Sequence, residues 1–241
     1  MKQKITIIIL LQLMIGTTAF AQNARFNGDP ISGRPMMADA DGKPLYLKSS
    51  YTAEGSPFIY DEYSDADITL TSGQVYANQK VKVNLLDKYF LYKTPDGVEM
   101  EITAPIHSIR FHAIGSGNTK IRQERILEGF GQALNAPGAP IYEVITKDSS
   151  AALLKQIIVT YIDVKPYGEV NTTRKFKHNE TYFAAVPPGN KQLKKIEKSK
   201  SAVAAIFGSQ SSAVIAFINQ KKLKCKSEEE LVEVFKYYGT L

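Results

Sequence analysis

The chain has 241 residues and carries 30 Lys and Arg against 24 Asp and Glu, a formal net charge of +6. Its single cysteine, Cys225, excludes an internal disulfide, so core burial alone must hold the fold together. After residue 21 no apolar run is long enough to span a membrane.

The first 21 residues predict a cleavable secretory signal peptide. Lysines precede an apolar stretch at residues 5–20, and small residues, Ala19 and Ala21, occupy positions −3 and −1 of a cleavage site before Gln22. The alternative is an uncleaved anchor, but this stretch is shorter than the roughly 20 residues that a bilayer core requires. We therefore expect a periplasmic or secreted protein that begins at Gln22.

Residues 22–50 predict an extended or partly disordered lead-in, because Gly, Pro and Asp are frequent and apolar periodicity is weak. Within it, residues 39–42 resemble part of a calcium loop but lack the remaining ligands, so a surface turn is favoured.

Residues 51–188 predict a β-rich region. In residues 80–85 every second side chain is apolar, which is typical of a half-buried strand. Residues 89–93 and 98–102 predict a hairpin around the turn at residues 94–97, with Val98, Met100 and Ile102 facing the core. Residues 157–162 are apolar at nearly every position, which predicts a central strand covered on both faces.

Residues 189–241 predict a helical region packed on the sheet. The spacing indicates helices over residues 191–207 and 211–222, and Ser227 with Glu230 forms the pattern of a capping box before a last helix. In that helix four apolar residues fall on one stripe: Leu231, Val234, Phe235 and Tyr238.

The chain resembles a family of secreted Bacteroidota proteins without established function. The resemblance lies in residues 55–58, 73–76, 81–85, 89–91 and 96–97, and again in residues 198–200, 217–223, 227–231 and 237–238. It implies an exported β-rich protein and carries over no catalytic residue.

The sequence context of most reactive side chains predicts that they have structural roles. His107 and His112 lie five residues apart on one predicted strand and so face opposite sides, and His107 shares a face with Ile109 and Phe111, which predicts a core or interface histidine. We expect Cys225 to be a packed thiol beside a helix cap. We expect no catalytic residue, no metal site and no cofactor.

One dense acidic and aromatic patch is a candidate binding site: Tyr60, Asp61, Glu62, Tyr63, Asp65 and Asp67. Carboxylates flanked by tyrosines can hold a sugar or a cation, or act as an acid and base pair. The competing interpretation is a solvated acidic loop before a strand.

The predicted fold class is α+β and mainly β, with antiparallel sheet in a meander, half-barrel or sandwich and two or three short C-terminal helices. The favoured function is a non-catalytic envelope interaction or structural module whose partner is an envelope protein or glycan and not a nucleic acid. One alternative is a hydrolase of envelope glycans or peptides that uses the acidic patch. Another is a binder of anionic surfaces or lipids through nine lysines in residues 187–226, where Glu197 is the one acidic residue.

Overall fold

The computed structural model describes residues 37–38, 44–45, 51–114, 122–165, 167, 171–188 and 192–241. The chain divides into two compact units, Met1–Ser50 and Tyr51–Leu241. The predicted signal peptide, its cleavage site at Ala21 and Gln22, and most of the predicted lead-in lie outside the described residues. In the first unit, strand β1 (Met37–Ala38) pairs antiparallel with β2 (Pro44–Leu45).

Among its described residues, the second unit contains eleven strands followed by three helices. The strands are β3 (Tyr51–Glu54), β4 (Ser64–Leu70), β5 (Val75–Val83), β6 (Phe90–Lys93), β7 (Glu99–Glu101), β8 (Ile106–Phe111), β9 (Arg125–Glu128), β10 (Tyr142–Lys147), β11 (Ala152–Val164), β12 (Thr172–Ala185) and β13 (Lys194–Lys195). The helices are α1 (Lys200–Ala205), α2 (Ser211–Gln220) and α3 (Glu228–Tyr238), with a 3-10 turn at Gly208–Gln210.

All eleven strands belong to one sheet with the order β13-β12-β11-β10-β9-β8-β4-β5-β6-β7, and β3 pairs with β12. Every pairing is antiparallel except that of β3 with β12. The protein is mainly β with a few short C-terminal helices, so the predicted fold class is confirmed. The predicted hairpin is also found, since β6 and β7 pair around Gly97, whose φ of 83° suits glycine.

The sheet curls back on itself through the segment that follows β3. The Ser56 carbonyl lies 2.7 Å from Nε2 of His178 on β12, and the Ile59 amide donates to the Val83 carbonyl on β5. A flat sheet would separate β12 and β5 by six strand spacings, about 29 Å. Residues 56–59 can span at most about 14 Å. The sheet must therefore curve, and this segment bridges its two distant strands.

Glycine is required where this segment passes β12. Gly55 has a φ of +78°, and a Cβ added there would lie 3.3 Å from the carbonyl oxygen of Phe176. A side chain would therefore meet both backbone strain and a close neighbour. The close approach of β3 to β12 depends on this position.

Strand β11 shows how the core is divided. Leu153 and Val159 share one face, where Leu153 packs against the C-terminal helices and Val159 joins the cluster inside the curled sheet. Leu154 lies on the opposite face in a third, smaller cluster. The second half of that face is open, because the side chains of Ile158 and Ile162 are 47% and 64% exposed.

The predicted double-sided burial of residues 157–162 is therefore wrong. The long β11–β12 hairpin pairs without interruption from Ala152 to Val164, but its outer half extends past the residues that cover its inner half. A strand with apolar side chains on both faces is not always buried on both faces. Its burial depends on how far the neighbouring strands and helices extend along it.

The C-terminal helices cover one end of the sheet. The capping box at Ser227 and Glu230 is confirmed, and Leu231, Val234 and Phe235 are buried as their spacing predicts. The predicted helix over residues 191–207 is wrong in its first half, because Lys194–Lys195 pairs with β12 and the helix begins only at Lys200. Ser199 caps that helix by accepting from the Ala202 amide.

Among the helices in the described part of the chain, none combines the length and the apolar character needed to cross a bilayer.

Candidate functional site

A cleft of about 290 Å³ lies between the β4–β5 pair and the chain that runs from β7 towards β8. Most of its walls are apolar or aromatic, and its polar groups are few. The lining residues are Ile68, Leu70, Tyr76, Gln79, Tyr92, Met100, Glu101, Ile102, Thr103 and Ala104. Apolar walls with a few polar groups are the usual composition of a ligand pocket.

One wall of the cleft is held in place by Asn135. Its Nδ2 donates to the carbonyls of Ile102 and Ala104 at 3.0 and 2.8 Å, and its Oδ1 accepts from the Ile106 amide at 3.0 Å. These three bonds fix the connection from β7 to β8 where it passes the β4–β5 pair. Asn135 is thus a positioning residue that sequence analysis missed, because a lone Asn in a loop gives no signal of its distant partners.

The open side of the cleft is formed by β7, the last strand of the sheet. The phenol of Tyr92 donates to Sδ of Met100 at 3.5 Å across the β6–β7 pair. The prediction that Val98, Met100 and Ile102 face the core holds for burial only at Ile102, because Met100 and Val98 are 46% and 54% exposed. Alternation places these side chains on the core side, but at the sheet edge there is no further strand to cover them.

The acidic patch lies elsewhere, and none of its six members lines the cleft. Asp65 and Asp67 alternate with the buried residues Ser64, Ala66 and Ile68 on β4, so both carboxylates lie on the outer face. Asp61 and Glu62 are exposed in the segment before that strand. The carboxylates are therefore spread along one outer surface.

The two carboxylates on β4 are already paired. Lys80 Nζ lies 2.8 Å from Asp65 Oδ1. Asp67 accepts from the Asn78 amide at 2.9 Å and lies 3.0 Å from His112 Nε2. The Asn78 hydrogen bond in particular, helped by His112, holds the pKa of Asp67 below its usual range. Asp67 therefore stays ionised at neutral pH.

The two tyrosines of the patch contact charged side chains rather than each other. The Tyr60 ring lies 3.9 Å from the Arg122 guanidinium and packs edge-on against Phe111. The Tyr63 hydroxyl donates to Glu99 on β7, and burial together with this contact raises the pKa of Tyr63. Tyr63 thus connects the acidic patch to the edge strand.

The histidines do not form a joint site. His107 is exposed, so its predicted position on the face of Ile109 and Phe111 is wrong. The pairing of β4 with β8 shifts register between Thr69 and Leu70, and this irregularity interrupts the simple alternation. Among the described residues no group of three or more His, Cys, Asp or Glu is placed to hold a metal ion.

A buried chain of charges, which the sequence did not predict, joins the sheet to α3. Arg125 Nε lies 2.8 Å from Glu143 Oε1, and Lys155 Nζ lies 3.1 Å from Glu143 Oε2 in an orientation that makes no hydrogen bond. Lys155 also contacts Glu228 Oε2 at 2.9 Å. The Tyr182 hydroxyl donates to the same Glu228 oxygen at 2.9 Å. Burial, reinforced by Glu228, raises the pKa of Tyr182.

Four of the C-terminal lysines make separate local contacts. Lys194 donates to the Ile206 carbonyl, Lys198 lies 4.9 Å from the centre of the Tyr182 ring, and Lys200 donates to Asn219. Lys221 lies 4.0 Å from Glu233. These contacts stabilise the helix ends and their packing. Binding of anionic surfaces or lipids by this region stays a prediction.

Cys225 is fully buried beside the start of α3. Burial raises the pKa of its thiol, and the nearby Glu230 adds to the rise. Both effects disfavour the thiolate, as the prediction of a packed structural thiol requires.

No family model, curated protein or solved structure matches this chain.

Proposed function

We propose that this chain is an exported, non-catalytic interaction module that holds an apolar group of its partner in the cleft between β4–β5 and β7. The observation that carries the proposal is the apolar wall formed by Tyr76, Tyr92 and Met100, in which Tyr76 and Met100 are exposed, beside an edge strand with no cover among the described residues. Apolar surface that remains exposed and concave is typical of a binding site.

The state of the acidic patch favours binding over hydrolysis. A glycosidase needs one carboxylic acid with a raised pKa to protonate the leaving group. Asp67 has a lowered pKa, and Asp65 is paired with Lys80. The separation of the patch from the cleft also leaves these carboxylates without a described pocket to work in.

Export is supported by the amino-terminal pattern of charge, apolar stretch and small residues. Amino-terminal sequencing of the protein isolated from its natural host tests it. We expect a mature chain that begins at Gln22, and an intact Met1 in the cytosol would contradict the location.

Fluorescence titration with the neutral dye N-phenyl-1-naphthylamine tests the cleft. We expect saturable emission with one site per chain, and at least tenfold weaker binding to Met100→Lys, which places a charge on the apolar wall. Val75→Lys is the matched control, because Val75 is 59% exposed on β5 but does not line the cleft. Equal binding to both variants, or no binding to the wild type, would contradict the proposal.

A further inference from the structure

The outer edge of β7 has backbone groups that can accept another strand. The Ile102 amide donates to Phe90, and the Thr94 amide donates to Val98, so the backbones of Val98 and Ile102 point inward to β6. Because antiparallel pairing alternates along a strand, the N–H and C=O groups of Glu99 and Glu101 point outward. No described strand pairs with this side of β7.

The side chains of β7 differ on its two faces. Met100 shares a face with Tyr92 and contributes to the cleft, so a side chain opposite Met100 on an added strand would also point to the cleft side. Glu99 and Glu101 are exposed and alternate with Met100, so their carboxylates lie on the other face, although Glu101 also contributes to the lining of the cleft. Lys93 lies opposite Glu99, but Glu101 lies opposite Leu91 and forms no ion pair with any described residue.

This charge pattern disfavours a second copy of the chain as the added strand. Two β7 strands paired antiparallel about Met100 would place Glu99 of one copy opposite Glu101 of the other. Like charges directly opposite each other destabilise a strand pair, whereas a cation opposite Glu101 stabilises it. The edge is therefore suited to a strand with basic residues on one face and apolar residues on the other.

We propose that β7 binds an extended peptide segment in which lysine or arginine alternates with apolar residues. This inference rests on the proposed function and names the partner of the same cleft. The peptide backbone bonds to the outward groups of Glu99 and Glu101, its basic side chains lie beside these carboxylates, and one apolar side chain enters the cleft next to Met100. Main-chain bonds supply affinity in this mode, and the alternating side chains supply specificity.

The proposal is tested on the full chain with a capped nine-residue peptide in which lysine alternates with valine and leucine. Three control peptides change one feature each: glutamate replaces lysine, the apolar residues are gathered into one block, or the central backbone amides are N-methylated. Backbone NMR shifts are measured during titration. We expect the alternating basic peptide to shift the amides of residues 98–104 and to bind at least tenfold more tightly than each control.

Two variants of Glu101 test the backbone and the charge separately. Glu101→Pro removes an outward amide that no described strand uses, so the fold should persist while strand addition is blocked. We expect at least tenfold weaker peptide binding with a thermal unfolding midpoint close to that of the wild type. Glu101→Lys should reverse the preference between the lysine and glutamate peptides.

Equal binding of the N-methylated or block peptide would overturn the strand-addition mode. Unchanged peptide binding by a folded Glu101→Pro variant would overturn it as well. If the neutral dye binds the cleft but no peptide does, this inference fails and the proposed function stands. If neither binds, both fail.

Discussion

Lys155 Nζ lies 2.9 Å from Glu228 Oε2, and this contact joins the inner half of β11 to the first turn of α3. The Lys155 side chain is only 8% exposed. Burial opposes its charge, but the hydrogen bond to Glu228 and the ion pair with Glu143 outweigh burial and raise its pKa above the usual value. Lys155 is therefore a buried cation at neutral pH with two anionic neighbours.

Replacing Lys155 should strongly destabilise the protein. Lys155→Met leaves Glu143 with Arg125 and Glu228 with Tyr182 but removes the ammonium between the two carboxylates, and we expect the free energy of unfolding to fall by about 3 kcal/mol, the lower end of the range for breaking a buried pair. Lys147→Met is the matched control: its ammonium is 44% exposed and lies 3.4 Å from Glu128, so a loss below about 1 kcal/mol is expected. Urea unfolding measures both, and similar losses would show that the buried chain of charges contributes no more than a surface pair.

Asp67 should make stability depend on pH in the acid range. Its pKa is lowered in the folded state, chiefly by the Asn78 amide and further by His112, so ionised Asp67 stabilises the fold above its unfolded pKa of about 3.9. That contribution is lost as the pH falls through the lower folded pKa. We expect Asp67→Asn to be less stable than the wild type at pH 7 and to approach it below about pH 3.

The measurement for Asp67 is urea unfolding at intervals from pH 7 to pH 2.5. Asp61→Asn is the control, because Asp61 is an exposed carboxylate outside β4. A constant difference in the free energy of unfolding between Asp67→Asn and the wild type over the whole pH range would show that ionised Asp67 does not stabilise the fold.

Cys225 should react slowly with thiol reagents in the native protein. The side chain is buried and its raised pKa lowers the thiolate fraction, so modification requires local opening. We expect labelling by a disulfide-exchange reagent at pH 8 to be at least about 100-fold faster in urea than in buffer. Equal rates in the two conditions would place the thiol at the surface.

Two residues on one face of β11 should respond very differently to truncation. Leu154→Ala removes a fully buried side chain and should cost about 2–5 kcal/mol. Ile162→Ala, eight positions along the same face, removes a side chain that is 64% exposed and should change stability by no more than about 0.5 kcal/mol. Comparable losses in urea unfolding would mean that the outer half of this face is covered in solution.

Local patterns in the sequence predict local structure well. The capping box at Ser227 needs only residues within one helical turn, and the β6–β7 hairpin needs only its alternation and Gly97. Both features are recognisable because the atoms that interact are close in sequence. The mainly β fold with a helical end follows from the change of period after residue 189.

Burial at edges could not be predicted in the same way. Met100 and Ile162 have the apolar pattern of covered strands, yet each lies where a neighbouring element ends. The cleft depends on Asn135, which is distant in sequence from the carbonyls of Ile102 and Ala104 that it holds. The sequence located the residues of the acidic patch but not Lys80 and His112, which contact the carboxylates of Asp65 and Asp67 on β4.

The pairing of β3 with β12 has a consequence for the order in which the chain folds. Thr52 and Thr173, whose hydroxyls lie 3.0 Å apart, are separated by 121 positions. Closing so long a loop costs more chain entropy than forming the β11–β12 hairpin, so β3 should dock late in folding. Until β3 docks, the curled sheet is open between β12 and β5, and its apolar interior is accessible to chaperones.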